Sequence, residues 1–233
     1  MNIVSVAKQF WSNSYSCGIS EALRRTAGDL KLISSYRSLD IYLKDLSTLP
    51  PEENEVTFPY ILSKDPHWEV QEVFLDDLHN LTLKKDLTPL KYIQKRFGLG
   101  SRLFVVFDAD NTGIALIWIN EKSAYMPHIK RPSIQLPEKT VYMHSAIAHP
   151  AYRNHGIGTR LHQTVLKFIR GQGYNQSLLA SYVKNNKASR WHLANGYKKW
   201  GRVFYFEWLG KARRRKHLTQ LGHQNPELLE KKT

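Results

Sequence analysis

The residues richest in chemical content are Arg153, Asn154, His155, Gly156, Ile157, Gly158 and Thr159, in the run PAYRNHGIGTRL at 150–161. A turn whose glycines leave backbone N–H groups open, and which feeds straight into a helix, is a site for an anion. The first amides of a helix have no intrahelical acceptor, and the helix dipole favours negative charge there. Gly156 and Gly158 let a phosphate approach the backbone, Arg153 adds a mobile cation, and Asn154 and His155 extend a polar lip. The RxxGxG spacing separates this turn from two other phosphate-binding turns. A dinucleotide site needs GxGxxG followed about 20 positions later by a carboxylate, but Leu161 takes the third glycine position and the next carboxylate is Glu207. A P-loop needs Gly-Lys followed by Ser or Thr, which is absent.

The surrounding charge agrees with an anionic ligand. The 233-residue chain carries a formal net charge of +14, spread unevenly. Residues 1–138 hold 16 basic and 17 acidic residues, whereas residues 139–206 hold 11 basic residues and no carboxylate. A folded segment without acids maintains a positive potential that concentrates polyanions, so a phosphate-rich partner is expected. Hydrophobic residues at 42% and charged residues at 23% match a folded globular chain and exclude disorder, collagen and coiled coil. A lone cysteine, Cys17, excludes an internal disulfide framework and a multi-cysteine zinc site, so no metal is expected. With no signal-like apolar start and no run long enough to span a bilayer, a reducing cytoplasm is the expected setting.

The elements that must position the turn follow from periodicity. Residues 38–46 alternate as a strand ahead of Pro50 and Pro51, and a second strand is expected near 56–62. Asp65 and Pro66 then read as a helix start, with Val70, Val73, Phe74, Leu78 and Leu81 at helical spacing. A short helix at 89–97 stops at Gly98, and two β-rich runs joined by DADNTG form a hairpin. A Pro-rich loop, 126–137, leads to a strand at 141–148 and then to the turn. After it Ile157, Leu161, Val165 and Phe168 mark the buried face of a helix that stops at Gly171 and Gly173. A strand at 177–183, a short helix at 187–194 closed by Asn195 and Gly196, and a strand at 203–209 complete the pattern. Strand, helix, strand at the basic end implies one parallel pair within a mixed sheet.

On these residues the chain resembles the GCN5-related N-acetyltransferase (GNAT) superfamily. Pro150, Tyr152, Arg153, Gly156 and Gly158 match the family's pyrophosphate turn in order, and Asn185, Ala188, Gly196 and Tyr197 match the spacing of its second motif. The family's tyrosine between them is His192 here. The resemblance covers about residues 55–208. It implies a mixed α/β fold: a central, mostly antiparallel sheet with one splayed parallel pair and helices on both faces. The division expected is an N-terminal extension at 1–50, the acetyltransferase domain at 51–209 and a basic tail at 210–233.

The resemblance further implies acetyl-CoA as co-substrate. The backbone of Ala146, Ile147 and Ala148 would pair with the pantetheine arm, and the amides of residues 154–159 would hold the pyrophosphate. Asn185 would contact the pantetheine or adenosine side. Arg160, Lys184, Lys187 and Arg190 are candidates for the ribose phosphate. An amine attacking a thioester must lose a proton and the departing thiolate must gain one. His192 stands where the family's tyrosine protonates the thiolate. Alternation along 141–148 groups His144 with Tyr142 and Ala146 and sets Val141, Met143 and Ile147 opposite, so His144 is the candidate base facing the acceptor. Tyrosine, water and a carboxylate from the first half such as Glu121 remain alternatives.

The expected reaction is direct acetyl transfer to a primary amine of a small metabolite or amino sugar. The loop at 122–139, with Tyr125, His128, Lys130 and Arg131, would meet the acceptor. Acyl transfer from an acyl carrier protein and a non-catalytic CoA sensor are the rival readings. The basic tail leaves peripheral membrane contact open, a homodimer is also open, and nucleic acid is not an expected partner.

Overall fold

A computed structural model describes residues 34–49, 56–64, 66–124, 134–208 and 211–215. Its main sheet has nine strands in the order β11-β10-β1-β9-β8-β5-β4-β3-β2. In chain order these are β1 (Ser34–Asp45), β2 (Tyr60–Ser63), β3 (Trp68–Val73), β4 (Arg102–Phe107), β5 (Gly113–Asn120), β8 (Thr140–Ala148), β9 (Gln176–Tyr182), β10 (Lys198–Trp208) and β11 (Lys211–Arg215). The three α-helices among the described residues are α1 (Leu90–Phe97), α2 (Ile157–Gly171) and α3 (Asn186–Ala194). None of these helices is long and apolar enough to cross a membrane.

The expected hairpin is β4–β5, both strands rich in β-branched and aromatic residues and almost wholly buried. Burial on both faces follows from two coverings. Phe104, Val106, Ile117 and Ile119 pack beneath Leu161, Val165 and Ile169 of α2, while Leu103, Val105, Leu116 and Trp118 face Ile93 of α1. Each such aliphatic side chain contributes about 1.5–3 kcal/mol on leaving water. At the hairpin tip Asp108 Oδ1 accepts from the backbone N–H of Asp110 and of Thr112, fixing the turn.

The helix expected after Pro66 is instead strand β3 followed by a short 3-10 turn, Leu75–His79. Trp68 and Val70 alternate onto the α2 face and Val73 onto the other, and residues Glu69 to Val73 pair with Phe107 to Leu103 of β4. A helix would have gathered Val70, Val73 and Phe74 on one face; Phe74 is 59% exposed instead. The unpaired edge of β4 offered a ladder of hydrogen bonds that a helix there would have left unmet. The loop at 126–137 is pinched at its base, where β6 (Ser123–Ala124) pairs with β7 (Ile134–Gln135). Tyr125, His128, Lys130 and Arg131 lie outside the described residues.

The sheet draws on all three expected divisions of the chain. β1, from the N-terminal fifty residues, lies antiparallel between β9 and β10, and β11, from the basic C-terminal segment, pairs with β10. The remaining pairs are antiparallel except β8 with β9, which run parallel through Thr140–Gln176, Val141–Ser177 and Tyr142–Leu178. Beyond Tyr142 these two strands part.

Candidate functional site

The turn ahead of α2 is built from outside inward. A 3-10 turn, Pro150–Tyr152, leaves β8, and the Tyr152 hydroxyl donates to Asp108 Oδ2 at 3.1 Å while Lys84 pairs with the same carboxylate at 3.2 Å. The hairpin tip therefore anchors the start of the turn. Arg153 folds back, its Nε donating to the Ala148 carbonyl at 3.0 Å. Asn154 has φ 68° and Gly156 φ 75°, two left-handed positions that bring the chain round into α2. Gly156 is the N-cap and supplies no side-chain acceptor, so the first amides of α2 are left to an outside partner. A Cβ built on Gly158 would meet nothing within 4 Å, so this face of the helix start is open. His155 and Arg160 are exposed beside it, and Lys184, just ahead of α3, and Lys187 and Arg190 on it are exposed too.

The second part is the fork between β8 and β9. Ser145, at φ 52°, marks a bulge in β8: Trp118 pairs with His144 but Leu116 pairs with Ile147, so β8 carries one residue more than β5. The bulge reverses the alternation. Ile147 thus leaves the face of Val141 and Met143, where simple alternation puts it, and packs against the cluster of Leu116 and Trp118. Ala146 is exposed, and Ile147 and Ala148 are half-buried. Since β9 has already diverged, this stretch of β8 keeps β5 on one side and turns its other edge into the fork.

Asn185 is the N-cap of α3, its side-chain oxygen accepting from the Ala188 N–H at 3.1 Å. Gly196, at φ 80°, ends the same helix, a conformation that glycine adopts without a Cβ clash. The second motif is thus largely the punctuation of α3. Its Tyr197 does more. The buried phenol lies 3.0 Å from His162 Nε2 of α2 and 2.7 Å from Ser177 Oγ of β9, and it donates to Met143 sulfur of β8 at 3.7 Å. One side chain so ties α2 to both prongs of the fork at its base. The indole N–H of Trp191 adds a link from α3 to the turn, donating to Thr159 Oγ1 at 3.2 Å.

His192 lies beside this network, 7% exposed, with its ring 4.8 Å from that of Tyr42 on β1 and 5.5 Å from that of Trp191. Neither ring nitrogen has a hydrogen-bond partner among the described residues. Burial lowers its pKa to about 4. His162 is lowered to about 3 by burial, helped by the charges of Lys44 and His192. Both imidazoles are therefore neutral near pH 7.

His144 sits on the opposite face of the sheet, 6% exposed, stacked with Tyr142 and Trp118. Its Nε2–H donates to Asn120 Oδ1 at 2.6 Å, and its Nδ1 lies 3.2 Å from Arg96 Nη1 and from Ser145 Oγ. Burial first, and the Arg96 guanidinium second, hold its pKa well below the usual histidine value. Arg96 is itself buried in α1 and bonds the Tyr92 hydroxyl. Glu121 is engaged elsewhere, its carboxylate accepting from Arg102 Nη1 at 2.5 Å. The two histidines thus occupy separate surroundings, His144 with α1 and β5, His192 with α3 and β1. Among the described residues no cluster of histidine, cysteine or carboxylate groups could hold a metal ion.

Sequence reasoning passed over Tyr42, His162, Arg96, Asn120 and Trp191. His162 carried a faint signal, since Leu161 and Leu166 bracket it on the buried side of α2. The others become site neighbours through contacts between distant elements.

The model of the acetyltransferase (GNAT) family matches residues 67–197. Three solved structures are among those similar to the chain. A Drosophila protein is 13% identical, with TM-score 0.46, over 83% of this chain and 58% of that one. A GNAT-family protein from Novosphingobium aromaticivorans is 15% identical, with TM-score 0.49, over 78% of this chain and 69% of that one. A GCN5-related N-acetyltransferase from Sphaerobacter thermophilus is 13% identical, with TM-score 0.47, over 83% of this chain and 57% of that one. The chain thus spans less than two thirds of the length of the first and third. No curated protein matches it significantly.

Proposed function

The chain belongs to the GNAT acetyltransferase family, and from that premise we propose that it transfers an acetyl group from acetyl-CoA directly to a primary amine of a small metabolite or amino sugar. The observation that carries the reading is the juxtaposition of an uncapped, glycine-lined helix start with the fork of β8 and β9. The fit to acetyl-CoA is physical. The first amides of α2 and the open face at Gly158 suit a pyrophosphate, and the edge of residues 146–148 that no strand pairs, its Ala148 carbonyl bonded to Arg153, suits the amide-bearing pantetheine arm. Bound there, acetyl-CoA supplies a thioester open to attack by an amine.

The chain's own residues then have these roles. Arg153, His155 and Thr159 border the phosphates, and the exposed cations Arg160, Lys184, Lys187 and Arg190 add positive potential for the same ligand. Asn185 holds the start of α3, so that this helix keeps a fixed distance from the turn. The amine nitrogen forms the new C–N bond as the C–S bond breaks, releasing one amine proton and requiring one at sulfur. His192, neutral at pH 7, gives the developing thiolate an N–H hydrogen bond, and the sulfur takes its proton from solvent. His144, also neutral, has its Nε2–H committed to Asn120 and its Nδ1 lone pair turned to Arg96 Nη1; it takes the amine proton, relayed by water, when the Arg96 contact opens.

Incubation with acetyl-CoA and a panel of amines (glucosamine, spermidine, lysine, serine), following free thiol, tests this. Acetylated product from at least one of them is the expected result. Tight binding of acetyl-CoA without turnover on any amine would make the chain a CoA-binding sensor instead.

A further inference from the structure

We propose that Tyr42, carried on β1 and outside the stretch that the family model matches, is a positioning residue for acetyl transfer: it holds α3 and the His192 ring in register over the fork. The inference rests on the role given to His192 above.

β1 reaches the site through one face. Asp40, Tyr42 and Lys44 alternate along it, and each binds an element that follows the fork in the chain. The Asp40 carboxylate accepts from Lys199 Nζ at 2.7 Å and from Arg202 Nε at 2.6 Å, both on β10. The Tyr42 hydroxyl donates to Ser189 Oγ of α3 at 2.8 Å. Lys44 Nζ donates to the Asn195 carbonyl at the end of that helix at 2.7 Å. The first contact sets the strand on β10 and the other two hold α3 at two points along its length.

Tyr42 also lies at the height where the fork opens. It pairs across the sheet with Leu179 of β9, next to Leu178, the last residue of β9 paired with β8. There it is 1% exposed and forms one wall around His192, the rings meeting at 54°. Since the His192 nitrogens have no hydrogen-bond partner among the described residues, ring packing fixes the orientation of its N–H groups. Ser189 stands one helical turn before His192 on the same face of α3. A hydroxyl bond to Ser189 and a ring contact to His192 thus make Tyr42 a two-point clamp.

The test is a mutant cycle on the full chain, reading kcat and KM for acetyl-CoA with the fastest amine of the panel, or with water as acceptor where no amine turns over. Tyr42→Phe keeps the ring and removes the hydroxyl; Ser189→Ala removes the same bond from a half-exposed helix position, and decides the matter if Tyr42→Phe does not fold. Each is expected to lower kcat about tenfold with KM for acetyl-CoA within about twofold of the parent. The double variant should be no slower than either single one, and Tyr42→Phe should add nothing in a His192→Phe background, as for residues acting along one route. If His192→Phe lowers kcat but Tyr42→Phe and Ser189→Ala stay within about twofold of the parent, the role of Tyr42 is overturned; losses that multiply in the double variant overturn it equally. If His192→Phe itself leaves kcat unchanged, it is the reading of His192 that fails.

Discussion

The turn before α2 and the network beneath the fork both border the same helix, yet they are built in opposite ways. The turn binds with backbone: its contributors lie within ten consecutive residues, they are largely exposed, and glycine matters there for what it lacks. The network works with neutral side chains brought from β1, β8, β9, α2, α3 and the Tyr197 that follows it, all but Ser189 buried. A local, solvent-facing device suits capture of a charged, mobile ligand. A buried device assembled from afar suits fixed orientation at the place where bonds change. Damage to the first should therefore appear in affinity and damage to the second in turnover or stability.

The sharpest way to break that division is Gly158→Asp. The position has room for a side chain, so the fold should survive while a negative charge enters the phosphate face; affinity for acetyl-CoA in calorimetry should fall about a hundredfold, equivalent to about 2.7 kcal/mol. Unchanged affinity would remove the turn from the cofactor site. His192→Phe should do the reverse, lowering kcat about tenfold to a hundredfold with acetyl-CoA affinity held within about twofold. His144→Ala should instead move the acidic limb of the kcat/KM profile. Both variants keeping turnover within about threefold of the parent would end histidine catalysis here and leave the proton to water or tyrosine.

The buried imidazoles also predict how stability depends on pH. His162 and His192 have folded-state pKa values of about 3 and about 4, below the 6.5 of an unfolded histidine. Between those limits the unfolded chain binds protons that the folded chain does not, so stability is complete above about pH 6.5 and is lost as pH falls toward 4. Each group gives a slope of at most about 1.4 kcal/mol per pH unit in that window. Urea unfolding at pH 7.0, 6.0 and 5.0 should show the decline, and His162→Phe should flatten it; a parent protein equally stable at all three would show that the network admits protons freely. The smallest effect belongs to Tyr152→Phe. Losing one hydrogen bond to Asp108 costs about 0.5–1.5 kcal/mol of turn order, so acetyl-CoA affinity should drop about threefold with kcat intact.

The same contrast explains what was legible beforehand. The turn, α2 and the caps of α3 announce themselves because glycine, asparagine and a 3.6-residue period act over a few neighbouring positions. β1 is recognisable as a strand from its alternation, but nothing within residues 38–46 says that its neighbours are β9 and β10. β3 is misread as a helix because Val70, Val73 and Phe74 satisfy helical spacing equally well, and only the waiting edge of β4 decides between the two. One bulge at Ser145 is enough to send Ile147 to the other face. His192 is found by motif spacing, whereas its partner Tyr42 is separated from it by 150 residues of chain and comes close only through the sheet.

The place of β1 in the sheet also bears on how the molecule is made. Ser34 pairs with Trp208 and Asp45 with Gln176, so β1 finds both its neighbours only after well over a hundred further residues have been synthesised. At ordinary elongation rates the delay is on the order of ten seconds, during which the segment has no native ladder to join. An unpaired strand in that position invites pairing with other chains. Asp40, Lys44 and Asp45 punctuate it with charge and make such mispairing costly until β9 and β10 arrive. Insertion of β1 into the sheet is then a late event of high contact order, and it couples synthesis of β9 and β10 to assembly of the wall around His192.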